Sequence, residues 1–449
     1  MILKKNSIFF YKKRKRHIFI LCIIIFICLP ISLKINDLGI SYGEIMILIL
    51  GCHVYLKNCI AKKIYITKLP LELAVLFLLV MFIIMSSLFN TIDSDGLKML
   101  IRYIEIFLVS FIFYNYFIIN NISINLLLKY LFMGLIIASL YSSAGHAISL
   151  INIIFDSNFD LSFFEDASLF YGGTFGLLLI IMLQISIYFF IKLKKNKIYR
   201  IYLFIMFFFF FTFLLLNSKR TWILFGFIGV MTQLFYYKKI LLTVMYIFLF
   251  TSMSSLIIND SFFFESNIFN GDNKTTASPS DTSITSSTSL ESRWDKWNNA
   301  LIYFYSHPFV GAGLENPRMG LASWNELLGN KRADNQYIDL LAMTGIFPFI
   351  LTCYLVYLLA KKTRLLFSYD KQLSLLIGMI LLCMFGGALF WQIFYGFLAP
   401  FSGMVISILI YIVNTKLDQA KLKDRRSAYP ASATTHIVTP HRRAKFSDS

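Results

Sequence analysis

The residues with most chemistry to offer lie in or beside one polar interval, 259–336, in a chain that otherwise alternates apolar stretches with short connectors. Within it, Arg293 sits between Glu291 and Trp294, with Trp297 one turn further on. A guanidinium offers a rigid fork of donors that matches phosphate oxygens, which a lysine ammonium cannot imitate. Lys219 and Arg220 form a second cationic pair, in the tight connector from Asn217 to Trp222. Lys331 and Arg332 precede Asp334 and Asn335. A carboxylate there, near cations, is a candidate base for a hydroxyl. His307-Pro308-Phe309-Val310-Gly311-Ala312-Gly313 adds an imidazole and two close glycines. The implied chemistry is an anion grip beside a proton acceptor.

Each feature also has a plainer reading. An arginine among tryptophans suits an aromatic belt at a membrane surface. Lys219 and Arg220 can snorkel toward lipid headgroups. The glycine pair reads first as a turn needing positive φ or close approach, so His307 is a turn residue before it is a base. Asp334 or Asn335 fits the N-cap of the following helix, a role compatible with basicity. Arg102 and Glu105 lie three residues apart on one apolar stretch and read as a structural ion pair.

Positioning these groups falls to membrane helices. Of 449 residues, 57% are hydrophobic and 15% charged, with mean hydropathy +0.68. Soluble domains carry about 25% charged residues, so one ordinary soluble core is excluded. The chain reads as an all-α, polytopic integral membrane protein. Apolar runs near the spanning length of roughly 20 residues occur near 17–34, 38–56, 69–90, 97–119, 124–146 and 171–192. Further runs follow near 199–217, 221–237, 240–258, 337–360, 372–392 and 394–414, about twelve in all.

The net charge of +18 sits largely in short connectors beside these runs, as the positive-inside rule expects, and this argues against nucleic acid as a partner. Basic connectors at 57–68, 192–200, 238–239 and 361–371 fall on one side by parity, the acidic ones near 93–95 and 156–166 on the other. The expected organisation is therefore nine spans over 1–258, a large periplasmic loop over 259–336, three spans over 337–414 and a basic, disordered tail over 415–449. Both termini are expected in the cytoplasm, the basic stretch 1–17 leading into an uncleaved first span. Within the loop, 295–305 reads as an amphipathic helix with Trp297, Ala300, Leu301 and Phe304 on one face. The six cysteines lie in or beside apolar runs with no Cys/His ligand spacing, so neither a metal nor another cofactor is expected.

The order of motifs is distinctive. An outward Lys219-Arg220 ends a mid-chain span; Arg293-Trp294 and His307-Pro308-x-x-Gly311-x-Gly313 follow in the long outer loop; Asp334-Asn335-x-Tyr337, Leu341 and Gly345 enter the next span. This order resembles the O-antigen polymerase and O-antigen ligase family of bacterial envelope glycosyltransferases. The likeness in topology covers most of the chain, and the motifs are confined to about 217–348. It implies a GT-C-like fold in the bacterial inner membrane and transfer without a metal. Undecaprenyl-diphosphate-linked oligosaccharides are the implied donor and acceptor, with a chain-length regulator protein as a possible partner. Arg220 and Arg293 match positions where the ligases place arginines on the donor diphosphate. The ligases carry His-Asn where this chain has Asp334-Asn335, a departure closer to the polymerases.

Such a transfer breaks the bond between sugar C1 and a diphosphate oxygen. Arginines would stabilise the charge growing on the leaving group, while a base deprotonates the acceptor hydroxyl and direct displacement inverts the anomeric centre. Asp334, Arg293 and Arg220 are the expected catalytic residues, and Lys219, Arg332, Asn335, Tyr337, Trp294 and His307 the expected substrate contacts. Trp294, Trp297, Trp324 and Tyr337 can stack on sugar rings or anchor in the interface. An O-antigen ligase acting on lipid A-core is the alternative within this class. A flippase or transporter is the alternative outside it, although carriers commonly show internal repeats and none is visible here.

Overall fold

The computed structural model describes residues 19–28, 32–35, 38–60, 69–90, 94–155, 173–192, 220–239, 288–314, 335–389 and 398–428, with short pieces at 243–244 and 246–247. Helix α1 (Phe19–Cys28) leads into a hairpin of β1 (Ser32–Ile35) and β2 (Leu38–Ser41). There follow α2 (Tyr42–Ile60), α3 (Leu71–Phe89), α4 (Ser94–Asn120), α5 (Ile124–Phe155), α6 (Gly173–Lys192) and α7 (Arg220–Tyr236). Then come α8 (Thr288–Ser306), α9 (Gln336–Thr344), α10 (Ile346–Phe367), α11 (Lys371–Leu381) with a π-helical turn at Leu382–Gly386, and α12 (Leu398–Ala428).

The described residues are helical apart from one short hairpin, in keeping with the all-α expectation. The strands pair antiparallel, Ser32 with Ser41 and Ile35 with Leu38. Asn36 and Asp37, residues suited to a two-residue turn, separate them in sequence, so the second helix starts at Tyr42 rather than 38. At the far end α12 continues to Ala428, beyond the expected close of the last span at 414. Among the described residues, Leu71–Phe89, Ile124–Tyr141, Ile346–Phe367 and Ala399–Asp424 are long and apolar enough to cross a membrane. Shorter apolar helices include Gly176–Lys192 and Leu224–Tyr236. The stretch 199–217, most of 240–258, and 259–287 lie outside the described residues.

Small residues let the helices close up. Ser110 Oγ donates to the Gly403 carbonyl at 2.9 Å, and a Cβ on Gly403 would stand 2.7 Å from Ile106 O, so α4 and α12 touch backbone to backbone. Between α6 and α7, Gln233 Nε2 donates to Gln184 Oε1 at 2.5 Å, a buried amide pair. Gly229 makes room for it, because a Cβ there would meet Gln184 Nε2 at 2.3 Å.

Polar contacts sort into two ends of the bundle. At one end, Lys362 Nζ reaches the fully buried Glu72 at 2.5 Å and donates to Asn414 Oδ1 at 2.7 Å, tying α10 to α3 and α12. Lys416 pairs with Asp370 at 3.7 Å, and Lys192 donates to Asn125 Oδ1 at 2.7 Å. Tyr411 Oη donates to Ile122 O at 2.6 Å. The other end gathers the start of α2, the end of α3, the start of α4, the turn after α8 and the entrance to α9. There Arg102 sits between Glu105, at 2.8 Å, and Glu44. The pair read from sequence is structural, with an added carboxylate from α2.

Candidate functional site

The turn after α8 is built by its glycines. Gly311 N donates to His307 O at 2.9 Å, and φ is +75° at Gly311 and +99° at Gly313. The turn then docks on the break between α9 and α10. Ala312 N donates to Ala342 O at 2.9 Å, Gly313 N to Met343 O at 3.0 Å, and Ile346 N to Pro308 O at 2.9 Å. The break itself is Gly345, whose φ is +84° and whose N–H closes α9 on Leu341 O. A Cβ on Gly311 would lie 2.3 Å from the Met343 carbonyl carbon, and one on Gly345 2.3 Å from Phe309 O. Both positions therefore need glycine for conformation and for space. From α3, Ser86 Oγ donates to Val310 O and, at 3.4 Å, to Met343 O; Asn90 Nδ2 reaches Gly311 O at 3.5 Å. His307 is exposed, and its backbone N–H bonds back to Tyr303 O and Phe304 O at 3.1 Å each.

The entrance to α9 is fixed just as firmly. Buried Asn335 is the N-cap, its Oδ1 accepting from Tyr337 N at 3.0 Å and Ile338 N at 3.2 Å, as the residue type favours. Gln336 Nε2 donates to Tyr103 Oη on α4 at 2.9 Å, while its backbone N–H donates to Ala388 O at 2.9 Å. Tyr337 Oη donates to Phe385 O at 2.9 Å. Tyr337 is half-buried, its ring packed against the core and edge-on to Phe349. Asp339, buried in the first turn of α9, adds a carboxylate at the helix end whose dipole favours it.

Phe385 belongs to, and Ala388 closely follows, the wide turn Leu382–Gly386 that closes α11, a local departure from α-helix that often marks functional sites. The same turn holds α7. Cys383 Sγ lies 3.9 Å from Phe225 O, and a Cβ on Gly386 would approach the Phe225 ring at 2.8 Å. Arg220, the first residue of α7, is a turn and a half before Phe225. The wide turn therefore holds the start of α7 and the start of α9 together. Helix α8 joins from the side: Ala300 and Ala342 are buried against each other, with Trp297, Tyr303 and Ile338 packed around them. Because the turns following α8 and α9 are bonded to each other, the two helices share their C-terminal end. Position 293 lies four residues before Trp297 and seven before Ala300, on the face that packs on α9.

The expected site residues divide accordingly. Asn335, Tyr337 and His307 are described in full, and Trp294 lies exposed with its ring 6.4 Å from that of Trp297. Arg220 and Arg293 enter by their helix positions alone, their side chains lying outside the described structure. Lys219, Arg332 and Asp334 lie outside the described residues. Sequence reasoning missed Ser86, Asn90, Tyr103, Gln336 and the wide turn. Only Ser86, Ser87 and Asn90 left a signal, as polar residues closing an apolar span.

Residues 204–353 match the family model described as O-antigen ligase. The match supports an O-antigen ligase/polymerase-like family for this chain. It covers about a third of the sequence and contains Arg220, Arg293, the glycine turn and all of α9. An O-antigen ligase/polymerase-like family implies a glycosyltransferase-like enzyme that acts on lipid-linked glycans at a membrane, in keeping with the four candidate spans among the described residues. No curated protein matches the chain.

Proposed function

We propose that the chain is an envelope polysaccharide polymerase. It transfers undecaprenyl-diphosphate-linked glycan to the non-reducing end of a lipid-linked repeat unit, by inverting displacement without a metal. Arg220 and Arg293 hold the donor diphosphate, and Asp334 takes the proton of the acceptor hydroxyl. One observation carries this reading: the start of α7, the α9-facing side of α8 and the α9 entrance are tied to one end of the bundle by the wide turn and the glycine turn. Charge growing on the leaving diphosphate would be stabilised by the two guanidinium groups, and such stabilisation is most effective from preorganised donors. In this reading that end faces the periplasm, about twelve spans cross the inner membrane, and both termini are cytoplasmic.

The test is elongation of purified lipid-linked repeat units in nanodiscs without an ion gradient. Arg220→Ala and Arg293→Ala should each lower turnover by about 10²–10³, the cost of removing one transition-state donor. Lysine at either position should not restore full rate, lacking the planar fork. Unchanged elongation in both alanine variants would remove these arginines from the site. Asp334→Asn keeps shape but loses basicity and should stop turnover.

The description of the matched family favours a second reading, the O-antigen ligase. Gene deletion separates the two. Loss of the polysaccharide ladder above a single repeat marks a polymerase, and loss of all lipid A-linked glycan marks a ligase.

A further inference from the structure

Among the described residues, one face of α8 has no protein against it. While Ala300 is 7% exposed and packs on α9, Trp294 is 62% exposed, Ile302 60%, Tyr305 74% and, in the turn that follows, Phe309 66%. Asn298 and Ser306 are exposed on the same side, so the face is mixed in character, with aromatic and branched residues leading.

This face continues into a surface that must meet hydrocarbon. The Phe309 ring stacks on Phe347 at 6.2 Å, and Phe347 stacks on Phe82 at 5.3 Å. Phe347 lies at the start of α10 and Phe82 in the second half of α3, both candidate membrane spans. Only 33% of the α10 span is buried inside the protein. Its exposed row of Phe347, Ile350, Tyr354 and Tyr357 would otherwise lie in water. Tryptophan and tyrosine collect where a bilayer turns from hydrocarbon to headgroup, and a helix with one mixed aromatic face and one packed face lies in that plane.

We propose that α8 is an interfacial helix: Ile302, Tyr305 and Phe309 dip into the leaflet on the site side of the membrane, and Trp294 sits at headgroup level. The occupant of this face is the lipid surface itself. The consequence for catalysis rests on the glycosyl-transfer reading. Position 293, next to Trp294, is then held at the depth where the diphosphate of a membrane-anchored donor lies. The donor need not leave the bilayer to be bound.

Spin labels in the full-length protein in nanodiscs test the depth without any turnover. Single cysteines replace Ile302, Tyr305, Phe347 and Tyr369, with Cys22, Cys52, Cys59 and Cys353 changed to serine and monodisperse elution required of each variant. Collision rates with oxygen, which partitions into lipid, and with a water-soluble nickel chelate are compared. Position 347 serves as the lipid reference and position 369, in the exposed connector after α10, as the water reference. Labels at 302 and 305 should favour oxygen, at a depth between the two references. Chelate access equal to that at 369 would overturn the proposal. Shielding from both agents would also overturn it, pointing to a second copy of the chain over this face. Loss of elongation in Arg293→Ala with the depth unchanged would support both readings. Depth as expected with no effect of Arg293→Ala would sink the catalytic reading and leave the interfacial helix standing.

Discussion

The two ends of the bundle use polar side chains differently. At the end with Glu72, charged groups reach one another across helices, as in Lys362 with Glu72 and Lys416 with Asp370. At the end with Asn335, apart from Arg102 between Glu44 and Glu105, neutral side chains grip backbone: Ser86 on Val310 O, Tyr337 on Phe385 O, Asn335 on two amides. A bonded carbonyl or amide fixes where the chain runs, whereas an ion pair fixes which helices stay together. The comparison teaches that one end is organised for cohesion and the other for placing a segment of chain.

The largest effect belongs to the glycines. Gly345→Ala and Gly311→Ala face a left-handed conformation costing about 1–2 kcal/mol and a backbone contact that no rotamer relieves. The expected outcome is loss of folded protein, read as the collapse of the monodisperse peak in detergent. Next comes Lys362→Met, which strands the Glu72 carboxylate in the interior. Such a break costs about 3–5 kcal/mol. The thermal midpoint should fall sharply while turnover per folded molecule stays unchanged, and the double variant Glu72→Gln/Lys362→Met should recover most of the midpoint. Asn335→Ala should show the opposite pattern. A lost N-cap costs about 1 kcal/mol, a small shift in midpoint, but elongation should drop at least about tenfold because the segment from Asp334 onward is displaced. Tyr337→Phe is the mildest: one hydrogen bond worth about 1 kcal/mol and a rate loss below about tenfold, with KM for the glycan unchanged because the ring remains. If Asn335→Ala unfolds the protein, or Lys362→Met abolishes turnover in folded molecules, the contrast between the ends is gone.

What the sequence made legible was local. Asn335 as a cap, Gly311 and Gly313 as a turn, and the Trp297–Ala300 face of α8 are written within a few residues of each other and emerge in place. Charge parity grouped Lys192 with the connector 361–371, and Lys192 lies close enough to Asp370 and Lys416 to feel their charge. The contacts that place the candidate site span the chain: Ser86 to Val310, Tyr103 to Gln336, Phe225 to Cys383. No periodicity or capping rule reports a partner more than a hundred residues away. The wide turn was invisible for a related reason, since Leu382 to Gly386 reads as ordinary apolar helix and its contacts to Phe225 and Tyr337 lie far off in sequence. The hairpin at 32–41 straddles the end of one apolar run, 17–34, and the start of the next, 38–56, whose lengths suggested helices.

That wide turn makes the protein sensitive to amino-acid number more than to amino-acid kind. Dropping one residue from Leu382–Gly386 would let the turn revert to ordinary α-helix, so the chain after it keeps nearly its direction while the carbonyls inside the turn return to bonding along the helix axis. The carbonyl of Phe385 would then face the helix's own amides and leave the Tyr337 hydroxyl. Swaps among Leu, Met and Ile at Leu382 and Met384 should be tolerated where a single-codon deletion is not.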